Sequence, residues 1–366
     1  MNADKLSLTL PDQRWRSVIA AAGAAPSTHN TQPWRFVVEP DAIHLHLDLT
    51  RTLPVADPSY REARISCGAA LLNLRLALRA LDLEPLVTLL PQRRHPTLLA
   101  TVRLHTAKPA TPQELALHAA ISRRHSHRHP FHPAPLPSSV LQNIVYAASV
   151  EGGYLRLAHD PPLVRALTGL IRRADHQQSL NAAHQAELAA WVTHDSTRPD
   201  GVPVAAAGPR PSPGSVLAMR DFVRSSAERT DPAEQTNPTE QANPAERANR
   251  TEQANATEQV GQAGRARPER DYEPDPLLAV LLSTGDTPRD QIQAGQALQR
   301  ALLTATHHGA VASILSAPTE VPSIRAALRD LMGGTMYPQL VLRLGSGGPG
   351  AASPRRPVDD LIDPSS

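Results

Sequence analysis

Two short stretches concentrate the side chains that could do chemistry. Residues 25–38 read APSTHNTQPWRFVV and set the hydroxyls of Ser27 and Thr28 and the amides of Asn30 and Gln32 within a few positions. Residues 123–132 read RRHSHRHPFH, where Arg124, Ser126 and Arg128 alternate with His125, His127 and His129. A guanidinium presents planar, forked donors to phosphate or carboxylate, and hydroxyls and amides add short donors and acceptors. Taken singly, paired arginines are most often a solvated surface and a Ser-Thr-His-Asn run is most often a loop. Alternating histidines can hold zinc or nickel. This run, with His132 after it, has no carboxylate or cysteine nearby, and its arginines would repel a cation, so no metal is expected.

The elements around these stretches follow from periodicity and punctuation. Trp15–Ala25 reads as a short helix stopped by Pro26. Trp34–Val38 reads as a strand, with Trp34 as core beneath the loop, and Ala42–Leu49 alternates with period two as its partner. Ser66–Pro85 is apolar on most of its circumference and reads as a buried helix, and Leu98–Leu104 is a further strand. The order then begins again. A helix runs from Thr111 to near Arg123, a helix over SSVLQNIVYAAS opens on a Ser cap, and YLRLAHD is a strand. Helices continue to Trp191, Leu277–Asp286 is a buried strand, residues 291–309 form a helix ending at Gly309, and YPQLVLRLG closes as a strand. Overlay supports an internal duplication. CGAALLNLRLAL falls on AGQALQRALLTA with Gly68 on Gly295, and LLATVRL falls on PQLVLRL with Arg103 on Arg343.

Composition narrows the function. The chain has 366 residues, 40% of them hydrophobic, with a formal charge of +2. At 3% aromatic content a base-stacking surface would be poor, and no nucleic-acid reader motif is present, so no nucleic acid is expected. No apolar run approaches the roughly 20 residues of a membrane span and no signal peptide is seen; the expectation is a cytoplasmic protein off the membrane. The single cysteine, Cys67, precedes a buried helix and is expected to be inert. Residues 230–259 repeat a hexapeptide (TDPAEQ, TNPTEQ, ANPAER, ANRTEQ, ANATEQ) nearly free of large apolar side chains, so residues 229–269 are expected to be a disordered insertion.

As a set, the motifs resemble the FMN-dependent nitroreductase superfamily. APSTHNTQPW is similar to its flavin loop, and RRHSHRHPF to the run that holds the flavin phosphate. RTLPVADPSYRE, SCGAALLNLRLAL, ELAAW, GVP and the terminal RRPVDDLI resemble the Acg-type branch, a fused double repeat. The resemblance implies an α+β, nitroreductase-like fold made of two degenerate copies in an intramolecular pseudo-dimer. The N-terminal half would span 1–110. The C-terminal half would begin at 111–228, with a lid candidate at 192–215, and resume at 270–366.

In homodimers of this family each subunit supplies one half of a flavin site at the interface. Here the N-terminal copy carries the loop without an R-H-S-x-R run, and the C-terminal copy carries the run without the loop. One FMN per chain is therefore implied, between the halves, in a protein expected to be monomeric. Ser27, Thr28, Asn30 and Gln32 would face the ribityl chain or ring edge. Arg124, His125, Ser126 and Arg128 would take the phosphate, joined by Arg343, Arg355 or Arg356, with Arg356 favoured because Pro357 follows it. No catalytic side chain is strictly required, because the flavin carries the redox chemistry. The implied activity passes electrons from NAD(P)H through FMN to a small acceptor of nitro or quinone class. The alternative is an FMN-sequestering or storage protein with a lidded flavin and little turnover.

Overall fold

The computed structural model describes residues 12–363 apart from 196, 213–214, 216–268, 274, 349 and 351–352. The expected insertion at 229–269 lies outside the described residues except at its last position. The N-terminal half runs α1 (Asp12–Gly23), β1 (Trp34–Glu39), β2 (Ala42–Leu47), α2 (Arg61–Arg79), β3 (Leu83–Leu89) and β4 (Leu98–Ala107). The C-terminal half opens with α3 (Pro112–Ala120), α4 (Ser138–Val150), β5 (Tyr154–Ala158), α5 (Pro161–Leu180) and α6 (Ala182–Ala190). Four two-residue strands follow: β6 (Val192–Thr193), β7 (Val202–Pro203), β8 (Arg210–Pro211) and β9 (Glu269–Arg270). The half ends with β10 (Leu277–Ser283), α7 (Pro288–His307), β11 (Val311–Leu315), α8 (Ala317–Glu320), α9 (Pro322–Leu331), β12 (Tyr337–Gly345) and α10 (Val358–Leu361).

The duplication is written in the topology. One antiparallel sheet has strand order β1-β2-β4-β3 and the other β5-β10-β12-β11. In each sheet an antiparallel pair, β1-β2 or β5-β10, precedes a long helix, α2 or α7, and a second pair, β3-β4 or β11-β12, follows it; β5 and β10 are separated by α5, α6 and the four short strands. The overlaid segments occupy matching places, in α2 and α7 and in β4 and β12. Trp34 is fully buried in the N-terminal core with Ile19, Phe36 and Leu71. The tail crosses back to the first half, where Ile362 makes a parallel bridge to Phe36 and Asp363 N–H donates to Phe36 C=O at 2.8 Å.

Three local readings differ from the structure. The helix expected over 66–85 is α2, which begins five residues earlier, at Arg61, and stops at Arg79; the chain reverses at Asp82, in left-handed backbone at φ 59°. Pro85 cannot continue a helix, and residues 83–89 instead pair with β4. Ser138 is the first residue of α4 rather than its cap; Pro137 holds the cap position, with no side-chain capping bond. β11, α8 and α9 were not anticipated: β11 and α8 are too short to show a decisive period, and the clear amphipathic period of α9 was passed over.

Helices α2 and α7 cross where both lack a side chain. A Cβ on Gly68 would lie 2.1 Å from the Ile292 carbonyl oxygen, and one on Gly295 would lie 2.0 Å from that of Ile65. The two glycines are each other's counterparts in the duplication, so the crossing lies on the pseudo-twofold axis. Around it Gln299 Nε2 donates to Asn73 Oδ1 at 2.7 Å and Arg64 to Gln291 Oε1 at 2.9 Å. A methyl group here can be accommodated only by moving backbone. Gly68→Ala is expected to lose about 1–3 kcal/mol by overpacking, read by urea unfolding. Gly68→Ala with Gly295→Ala should cost less than the sum, because the first forces apart the contact that the second would clash with.

Candidate functional site

A deep cavity lies between the halves. Its walls include Ser27, Thr28 and Asn30 from the first half, and Arg124, His125, Ser126, Arg128 and Arg355 from the second half and tail. Its apolar lining comes from side chains such as Ile65, Leu298 and Leu315. The two motifs, about a hundred residues apart in sequence, thus face one space.

The 26–32 loop is held in a demanding shape. His29, Asn30 and Gln32 all have left-handed backbone, at φ 51°, 57° and 52°, which asparagine tolerates better than most residues. Gln32 N–H donates to Ser27 Oγ at 2.9 Å, so the Ser27 O–H remains to donate. Asn30 Nδ2 donates to Gly201 C=O and Pro354 C=O, both at 3.0 Å, and its Oδ1 accepts from Arg355 at 3.0 Å. Asn30 is therefore a brace whose side chain is fully engaged. Thr28 Oγ1 donates to Glu62 at 2.9 Å.

Gln32 lies apart from the cavity. It is fully buried, donates to Pro199 C=O at 2.9 Å and accepts from Arg356 N–H at 2.9 Å. Arg356 points the same way, toward the carbonyls of Gln32 and Trp34, with a close bond to Asp360 C=O. Of the three tail and strand arginines, Arg355 is the one on the cavity wall. Arg343 is completely buried behind it; it pairs with Glu273 at 2.9 Å, donates to His129 C=O at 2.8 Å and stacks over Phe131 at 3.8 Å. It anchors the 124–132 run from beneath. Its counterpart in the duplication, Arg103, is exposed, so the sequence match carried no signal of this burial.

The 124–132 run lies along the edge strand β11, with a parallel bridge between Ser126 and Ala312, and His127 N–H donates to Ala312 C=O at 2.8 Å. His125 sits between Arg123 C=O, 3.2 Å from Nδ1, and Gly350 N–H, 3.1 Å from Nε2; these partners fix its tautomer with the proton on Nδ1. Burial first, then the Arg343 charge among other causes, pushes His127 down to about 4. Among the described residues no group of three His, Cys, Asp or Glu is placed to hold a metal. Burial also pushes the Cys67 thiol well up.

Arg124 is the unusual member. It is 8% exposed, and its Nε is buried with no hydrogen-bond partner among the described residues. Burial, then repulsion from Arg355 and Arg128, pushes it down to about 9. Arg355 is likewise pushed down to about 10, by burial and then Arg128, and its Nε is also without a partner. A buried guanidinium left so is costly unless an anion completes it, which is the fit expected for a phosphate group.

The segment expected as a lid packs on the outside of these residues. Arg128 donates to Ala206 C=O at 3.0 Å, Gly201 N–H to Asn30 C=O at 3.3 Å, and Asp200 joins Arg51 and Arg198, both of which stand over Trp191. None of its described residues lines the cavity.

Glu62, Ser66 and Asp175, which lie outside both motifs, also line the cavity. Glu62 is 2% exposed. Burial, then the negative charge of Glu320, push it up to about 8 against the pull of Arg61. Its place in the first turn of α2, within the RTLPVADPSYRE stretch, was the available signal.

No family profile matches the chain. It is similar over 95% of its length to a protein of Mycobacterium tuberculosis named "Putative NAD(P)H nitroreductase acg", at 29% identity across 94% of that protein. It is also similar, at 28% identity, to the uncharacterized protein Rv3127 of the same organism, over 95% of this chain and 92% of that one. Among solved structures, the FMN-dependent nitroreductase NfnB of Mycobacterium smegmatis in complex with NADPH superposes with a TM-score of 0.36 at 12% identity, covering 68% of this chain and 97% of its own. A nitroreductase with bound FMN from Desulfitobacterium hafniense gives the same score, identity and coverage.

Arg124→Met should leave the melting temperature of the anion-free protein unchanged or raised, and should abolish the stabilisation that inorganic phosphate gives the wild type. Because the folded-state value of Arg124 is depressed, the unfolded chain keeps that proton where the folded one releases it. Wild-type stability without an anion should therefore gain a rising component as pH passes upward through about 9, and Arg124→Met should lack it.

Proposed function

We propose that the chain belongs to the Acg-type branch of the nitroreductase superfamily and is an FMN-binding oxidoreductase that moves electrons from NAD(P)H to a small nitro or quinone acceptor. The observation that carries this reading is Arg124, buried and incompletely partnered, in a cavity whose opposite wall is the Ser27–Asn30 loop of the other half. Arg124 and Arg355 would hold the cofactor phosphate by charge-assisted bonds, with Arg128 alongside and the Ser126 hydroxyl as a further donor. Ser27 would donate to the ribityl chain or ring edge, and Ile65, Leu298 and Leu315 would exclude water from the ring. Bound flavin would supply two-electron transfer; the protein would supply position, charge and dryness. Since one chain provides both halves of the site, the proposed functional unit is a monomer.

A second reading is favoured by the bracing of Asn30 from Gly201 on one side and Pro354 and Arg355 on the other. So fastened a loop suits a protein that retains FMN and turns it over slowly.

Purified protein should be yellow and release FMN on denaturation. Anaerobic NAD(P)H should bleach the flavin band, and a panel of nitro compounds and quinones should restore it. Bleaching too slow to support turnover would select the second reading, and a colourless protein that ignores added FMN would exclude both. Arg124→Ala should weaken FMN binding by about 1.5–3 kcal/mol, measured by fluorescence titration.

A further inference from the structure

Glu62 meets the cavity with one carboxylate oxygen and the protein interior with the other. Its Oε2 accepts from Thr28 Oγ1, a residue of the cavity loop, at 2.9 Å. Its Oε1 accepts from Arg61 at 2.8 Å and from Thr319 Oγ1 at 3.4 Å. The next residue, Glu320, has a side chain only 1% exposed, and its Oε2 accepts from Gln178 and lies 3.7 Å from His184 Nε2. His184, on α6, is 4% exposed, and neither ring nitrogen has a hydrogen-bond partner among the described residues. Acidic and imidazole groups thus form a buried file from the cavity wall to α6.

Glu62 and Glu320 are both buried and repel each other. The strongest charges acting on Glu62 are Glu320, Arg61 and Asp57; Arg64 faces Asp57, and Arg325 and Asp286 act on Arg61. Arg61 is shared among these acids, and it also donates to Gln339 C=O at 2.6 Å and Thr319 C=O at 3.2 Å. Two like charges in a dry site disfavour joint ionisation and keep a proton between them.

We propose that Glu62 is the proton donor of this cavity, sharing one proton with Glu320 and reloaded through Glu320 from His184. The inference rests on the oxidoreductase reading. An acceptor that takes a hydride ion, two electrons with one proton, from the reduced cofactor is left one proton short and negatively charged. The Glu62 O–H bond breaks, an O–H or N–H bond forms on the acceptor, and no further electron moves. Glu62 becomes a carboxylate held by Arg61 and Thr28, and the pair regains its one proton when His184 relays one from solvent to Glu320 and Glu320 passes it on. A positioned acid of this kind accelerates transfer by about 100-fold or more.

Two measurements on the full-length protein test this. Infrared difference spectra should show a protonated-carboxyl stretch at neutral pH that vanishes as pH rises through about 8. Glu62→Gln should remove the band. Glu320→Gln, which leaves Glu62 in place, should keep it and move its loss to lower pH. A wild type without the band, or a band untouched by both variants, overturns the proposal. The infrared measurement needs no FMN, so its outcome is independent of the cofactor assignment. In FMN-loaded protein, Glu62→Gln should slow reoxidation by a quinone by about 100-fold and flatten its pH profile, with reduction by NAD(P)H changed only a few-fold. An unchanged reoxidation rate and profile would also overturn it. Wild type that fails to bind FMN would refute the cofactor reading alone.

Discussion

The architecture depends on two glycines meeting. At Gly68 and Gly295 the backbones of α2 and α7 come so close that a Cβ on either would fall about 2 Å from a carbonyl oxygen of its partner. That approach welds two copies of one fold into a single body. It also sets the distance between the loop that precedes β1 and the arginine run that lies along β11. Were the helices a side chain further apart, the walls of the cavity would separate with them, because the N-terminal turn of α2 and the middle of α7 both line it. Stability and site geometry therefore share one constraint, and close packing leaves it little room to relax.

Around that axis the duplication has diverged by role. In one copy the arginine of the closing strand is exposed, as Arg103; in the other it is the buried anchor Arg343, held by Glu273 and two backbone carbonyls beneath the 124–132 run. The tail that leaves β12 returns to the first half, fastens Asn30 and Gln32, and adds a bridge to β1. Pro199 and Gly201 hold the same loop from another side. The loop's three left-handed residues are thus over-determined by contacts, the condition under which such backbone persists.

The cavity concentrates opposite electrostatic stresses at its two ends. Arg124 and Arg355 are cations held below their ordinary range by burial and by neighbouring arginines, Arg355 and Arg128 acting on Arg124 and Arg128 acting on Arg355. Glu62 is an acid held above its own, by burial and by Glu320. Burial penalises the charged form of each, and at neither end does the surrounding protein fully compensate. A phosphate-bearing cofactor would relieve the first stress, and a resident proton relieves the second.

Much was legible in the sequence alone. Most helices and most strands followed from periodicity and from proline, and the duplication followed from two aligned segments whose order recurs in both sheets. The pairing of the 26–32 loop with the 124–128 run came from the motifs, since the nature and spacing of their residues survive any folding of the chain. What the sequence could not decide was direction. Gln32 and Arg356 turn to each other, Arg343 turns into the core and Arg355 to the cavity, although the tail arginines are adjacent and Arg343 shares its local pattern with exposed Arg103. Glu62 stood in a recognisable stretch, but its chemistry arises from Glu320, 258 positions away, and from the water that both exclude. Residue type and spacing fix what a side chain can do. Only the tertiary fold sets which neighbours and how little solvent it has, and those determine what it does.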